Sequence, residues 1–276
     1  MKSMLALTAL AALAFGTFAQ AAQAATEVEL RHAAARVVVI PENRSDVSLV
    51  VNYGASTLPK IMVHEEGGKL VADGKLDMHS MSCRDHSVSV AGYGDIAAAD
   101  LPEVIIHVPM DAKVSFGGAS FGEVGPTKSL EFDEGGCGDW KLADIAGKGE
   151  INIGGSGTVN TGSIDEAEIN IGGSGNFHAR SVGRLEGNIG GHGDIDADTI
   201  TGDSEINIGG SGNVNLNSGT SPKMEINVAG SGRVSFGGEV RDLEVNIVGS
   251  GDVHVKKVTG NISKSVMGSG NIVIGQ

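Results

Sequence analysis

Residues Glu168 to Phe177 read EINIGGSGNF, and this phrase decides the fold because the chain repeats it. It returns as EGNIGGHGDI from Glu186, EINIGGSGNV from Glu205 and EINVAGSGRV from Glu225. The leading acids Glu131, Glu150, Glu168, Glu186, Glu205, Glu225 and Glu244 stand 18 to 20 residues apart. The glycine of the same register runs from Gly136 to Gly268. A fixed period of this length marks a solenoid in which each repeat is one coil. Two degenerate copies precede it: SVSVAGYGDI from Ser87, and KVSFGGASFGEV from Lys113 with two extra residues after Gly118.

Between the glycines, apolar residues alternate with polar ones, as in Ile151 and Ile153, Ile169 and Ile171, Ile206 and Ile208. Period-two patterning is the signature of a strand with one buried face. A second apolar position follows the Gly-Ser-Gly corner (Trp140, Val159, Phe177, Ile195, Val214, Val234, Val253, Ile272). A third closes most coils (Ile164, Val182, Ile200, Val240, Val258). Three short strands per coil predict an all-β chain folded as a single-stranded parallel β-helix of about ten coils. At ~4.8 Å per coil the rod is about 48 Å long. Glycine suits the corner for two reasons: it accepts positive φ, and it lets successive backbones stack closely. A left-handed hexapeptide solenoid is the minor alternative, disfavoured by coils that drift to 19 and 20 residues.

The chain divides into three. Residues 1–24 carry Lys2, an apolar run from Leu5 to Phe18 and the Ala22-Gln23-Ala24 sequence, which together read as a secretory signal peptide. Residues 25–86 have strand-like runs but no glycine phrase, and are expected to form an N-terminal β cap or irregular first coils. Residues 87–276 carry the repeats, with Leu101 to Pro109 expected as an extra strand lengthening an early coil. No second apolar run approaches the ~20 residues of a membrane span. The repeats stop in mid-coil after Asn271, so an open sheet edge and association of copies through the C-terminal coil are expected.

Net charge is -14. Nucleic-acid binding calls for a basic surface, so that class is excluded, while cations and basic partners are tolerated. The aromatic fraction of 4 % leaves few platforms for stacking sugars.

The repeated G-S-G-[ND]-[VI] phrases, with the Pro102 to Pro109 strand before them, resemble the bacterial family of auto-transporter adhesins, head GIN domain. The resemblance covers most of the chain after the leader. It implies a right-handed β-helix, a role in adhesion and no established enzymatic activity, and it supplies no catalytic residues to carry over. An auto-transporter passenger is followed by a membrane anchor, whereas the repeats here run to Gln276, so periplasm and outer surface both stay open.

The chemistry rests on side chains that point outward. If Ile151 and Ile153 face in, Glu150 and Asn152 face out, and every coil repeats this. One ladder is then Glu131 to Glu244; the other is Asn152, Asn170, Asn188, Asn207, Asn227 and Asn246, with Asp133 and Ser265 flanking. Stacked amides can bond from coil to coil. Stacked glutamates repel by ~0.9 kcal/mol per neighbouring pair even in water. Lys148, Arg184 and Lys223 are placed to relieve this. Two readings of the glutamates stay open: a solvated edge, which base rates favour, or a strip holding cations or a basic partner.

Other candidates are weaker. Gly190 to Ile195 resembles the start of a calcium nonapeptide, but Asp194 comes one place early. His79, Cys83 and His86 fall one ligand short of a closed zinc site. Cys83 and Cys137 are the only cysteines. Export favours bridging them, whereas register puts them roughly 10 Å apart, beyond the ~7 Å a bridge allows. The reading is an exported, non-enzymatic protein, periplasmic or on the outer surface, that binds or builds at the cell envelope and needs no cofactor or metal. Its partner is an unidentified envelope or cell-surface component. The alternative is a β-helical polysaccharide lyase or hydrolase, for which coils this short leave little chain to build cleft walls.

Overall fold

A computed structural model describes residues 25–84 and 86–275. The leader therefore lies outside the described residues. The structure is nearly all-β, with 70% strand and 2% helix, and its parallel coils stack as a β-solenoid of about nine turns, close to the ten expected.

The repeats pair in the register that the glutamates define. Strands β10 (Ser129–Glu134), β12 (Ile145–Ile153), β13 (Thr158–Ile171), β14 (Asn176–Ile189), β16 (Ser204–Ile208), β18 (Thr220–Gly230) and β19 (Arg233–Gly249) carry the Glu-Asn face. Glu131 pairs with Glu150, and so on without a slip through Glu244 and then Ser263 of β21 (Ile262–Gly268). The side after the corner is built by β11 (Asp139–Leu142), β15 (Asp194–Ile200), β17 (Asn213–Leu216), β20 (Asp252–Val258) and β22 (Asn271–Ile274), together with β13, β14 and β19. Inside, the columns Trp140-Val159-Phe177-Ile195-Val214-Val234 and Ile153-Ile171-Ile189-Ile208-Val228 are almost fully buried. Trp140 packs against Phe116 at 4.2 Å and edge-on to Phe132 at 5.0 Å between ring centroids. The one gap in an isoleucine column, Gly187, is approached by the Ile195 side chain.

Close approach, rather than positive φ, explains most corner glycines. Gly136, Gly155, Gly173, Gly191 and Gly210 keep ordinary φ, but a Cβ on any of Gly155, Gly173, Gly191 or Gly210 would collide with the carbonyl oxygen of the glycine one coil earlier. The same carbonyls accept from the middle corner residue, as Ser174 N–H does to Gly155 O at 3.0 Å. No side chain fits where backbone must meet backbone.

The N-terminal third does not wind in sequence order. β1 (Glu27–Glu42) is the second layer of the stack. On one edge it pairs with β4 (Lys69–Asp73) and β8 (Glu103–Pro109), and on the other with β9 (Asp111–Val124), which leads into the repeats. β8 is therefore part of the layer above β1, and does not lengthen an early coil as expected. Strands β2 (Ser48–Asn52) and β3 (Met62–Glu66) run antiparallel to β8 and β4 and cover that end. The corner column also reaches this region: a Cβ on Gly74 would lie 2.6 Å from His32 O, and Gly118 abuts Ala33.

Ser87, read above as the start of a repeat, lies outside the solenoid. β5 (Met81–Arg84), β6 (Ser87–Val90) and β7 (Gly94–Ala97) form a separate antiparallel sheet. Val88 and Val90 pack with Ala34, Ala119 and Phe121 on the outside of the corner column. The alternating residues of SVSV mark a strand but do not say which sheet it joins.

Candidate functional site

The Glu-Asn face of the repeats carries a regular chemical pattern over successive coils. Its asparagines form a continuous chain of amide hydrogen bonds. Asn170 Nδ2 donates to Asn152 Oδ1, Asn188 to Asn170, Asn207 to Asn188, Asn227 to Asn207 and Asn246 to Asn227, all between 2.9 and 3.1 Å. Every amide points the same way, so the positive end of the row faces the first coil. There Asn152 donates to the carboxylate of Asp133 at 2.8 Å, an anion placed where the aligned dipoles favour one.

The glutamate column beside it is compensated unevenly. Lys69 bonds Glu27 at 3.3 Å, and Lys113 bonds Glu131 at 2.8 Å, so the column starts with alternating charge. Lys148 bridges Glu168 at 2.7 Å and Glu150 at 3.5 Å, and Lys223 reaches Glu225 at 3.3 Å. Hydrogen bonding from Lys148 holds the Glu168 carboxyl below its usual range. Arg184, expected to help, forms no ion pair among the described residues. Glu186, Glu205 and Glu244 likewise have no cation within reach there, and Glu186 and Glu205 are adjacent in the stack.

A second polar pattern escaped the sequence reading. Asp194, Asp196 and Asp198 on β15 accept from Asn213, Asn215 and Asn217 on the next coil at 2.8, 2.8 and 3.2 Å. Placing D-I-D-A-D over N-V-N-L-N in register would have revealed it. Asp194 also accepts from the Asn213 N–H at 2.9 Å, so the acid of the calcium-like phrase serves the next coil.

The two cysteines are joined, with Cα atoms 5.9 Å apart. Register misled because it treated Cys83 as preceding the first coil along the axis. Residues 75–101 instead return along the outside of the rod, and Cys83 on β5 meets Cys137 sideways at its corner. The bond removes Cys83 from any metal set. His79 and His86 turn to Asp77 and Asp139 instead, each at 3.4 Å. Among the described residues no group of three or more His, Cys, Asp or Glu could hold a metal.

One further cluster lies at the N-terminal end. Asp73 is buried, and its carboxylate meets Lys75 Nζ at 2.7 Å, His32 Nδ1 at 3.3 Å and Arg31 Nε at 3.4 Å beside a depression of about 480 Å³. Burial opposes its charge, yet hydrogen bonds from Lys75 and His32 hold the carboxyl well below the usual range. His32 and Lys75 both have positive φ, at 50° and 59°, because they flank the corner where Gly74 stacks on Ala33.

Stacked parallel strands, a bonded amide row and short corners define a parallel β-solenoid. Residues 182–275, about a third of the chain, match the family described as "Putative auto-transporter adhesin, head GIN domain". The coils from Glu131 to Gly175 carry the same phrase but lie outside the match. No curated protein matches the chain. No helix among the described residues is long and apolar enough to cross a membrane.

Proposed function

We propose that this protein is an exported, non-enzymatic solenoid that binds at the cell envelope or outer surface in an adhesion-like role. The observation that carries the reading is the unbroken register of the outward face over successive coils, which leaves almost no chain for the walls of a catalytic cleft. The adhesin description of the matched family supports it. So do the leader-like residues 1–24 and the Cys83–Cys137 bond, which suits an oxidising compartment. An envelope or cell-surface component, or a second copy of the chain, is the partner this surface calls for.

Labelling intact cells with a membrane-impermeant amine reagent tests the compartment. Modification of the mature protein at a level matching a known surface protein is expected. Labelling only after the outer membrane is opened would place it in the periplasm and overturn the adhesion reading.

Within this proposal, the uncompensated Glu186, Glu205 and Glu244 are the part of the ladder that takes cations or a basic partner. A thermal midpoint that rises with calcium in the millimolar range is expected, and an unchanged midpoint would return the ladder to a solvated edge.

A further inference from the structure

Position 134 belongs to the inward column that later coils fill with Ile153, Ile171, Ile189, Ile208, Val228 and Ile247. Those side chains all use the same space. A Cβ on the third corner glycine of the following coil would touch them, at 2.7 Å for Ile171 under Gly193 and 2.6 Å for Ile189 under Gly212. The Glu134 carboxyl occupies the equivalent space under Gly157, where a Cβ would lie 2.6 Å from Oε2. The residue is 1 % exposed. Oε1 accepts from the Gly136 N–H at 2.9 Å, whereas Oε2 has no hydrogen-bond partner.

Among the described residues no cation pairs with Glu134, and only backbone amides, those of Gly136 and Gly157, favour its charged form. Phe116 of β9 and Ile153 of β12 flank it in register, and the aromatic ring of Trp140 stacks on Phe116. The charged groups of the packed elements are Asp111, Lys113 and Glu123 on β9, Glu131 and Asp133 on its own strand, Asp139 and Lys141 on β11, and Lys148 and Glu150 on β12. All take the outward register, and none pairs with it. The six aliphatic equivalents show what the fold itself requires here. An unpaired buried carboxylate is strongly unfavourable, so the group must be neutral inside or must reach water.

We propose that Glu134 makes its corner a pH-sensitive joint: protonated, the carboxyl stays under Gly157 and residues 134–138 are closed; once the proton passes to solvent, the corner opens to hydrate the carboxylate. Burial pushes the group up to about 7, against the pull of the Gly136 and Gly157 amides, which sets the transition near neutrality. The stabilisation is complete below the unfolded value of ~4.3 and is lost as pH rises through the folded value. The joint sits at the corner that bears Cys137, where the β5–β7 sheet is tethered.

Amide exchange of residues 135–138, corrected for intrinsic rates, tests this at about pH 6 and about pH 8. Between these values the opening equilibrium of the wild type is expected to grow about tenfold, and that of Glu134→Gln not at all. Glu134→Ile, which restores the residue type of the other coils, gives the same reading if the amide variant folds poorly. Equal corrected protection of the wild type at both pH values, or the same pH dependence in either variant, would overturn the proposal.

Discussion

Two adjacent glycines show how finely the corner is specified. Gly172 has open space around its Cα, whereas Gly173 faces the carbonyl oxygen of Gly155 one coil away, and both have φ values open to any residue. Gly173→Ala must therefore push two coils apart, and is expected to cost about 3 kcal/mol of unfolding free energy. Gly172→Ala should stay within about 0.5 kcal/mol. Denaturant melts of the pair measure the difference, and equal losses would show that the corner relaxes freely. The recurring glycine was legible in the sequence, but the choice between positive φ and close approach was not. Only the position of the neighbouring carbonyl separates them.

At the scale of elements, the β5–β7 sheet depends on its attachments. It shares a small apolar cluster with the corner column and one covalent bond across 54 residues of chain. Closing a loop of that length removes unfolded-state entropy worth about 4 kcal/mol in the chain-entropy account. Cys83→Ser with Cys137→Ser should lower the thermal midpoint by several degrees, and the midpoint of the double variant should no longer respond to a dithiol reductant. A wild-type midpoint insensitive to full reduction would mean that the apolar cluster holds the sheet by itself. At the other end, Lys264 of β21 pairs with Val245 and so occupies the inward column, where the preceding coils carry apolar residues. A lysine there disfavours stacking of another strand on the free edge of β21, a common way of protecting sheet edges.

Over the whole molecule, like-charge repulsion is expected to oppose folding. Net charge is -14, and the middle of the glutamate column has no compensating cation. Raising salt from about 20 mM to about 0.5 M shortens the screening length from beyond the coil spacing to about that distance. The thermal midpoint is expected to rise, and to rise less in Glu205→Gln; a fall would show that the ion pairs of Lys113 and Lys148 outweigh the repulsion. The periodic part of this protein was determined by sequence alone. A repeat that alternates Ile with Glu and Asn and punctuates each coil with glycine has one arrangement that buries every aliphatic residue, and it places both ladders on one face. The aperiodic part was decided by tertiary structure. The route of residues 43–110 over the first coils, the meeting of Cys83 with Cys137 and the isolation of Glu134 beneath Gly157 depend on packing between segments distant in sequence, for which no local pattern carries the register.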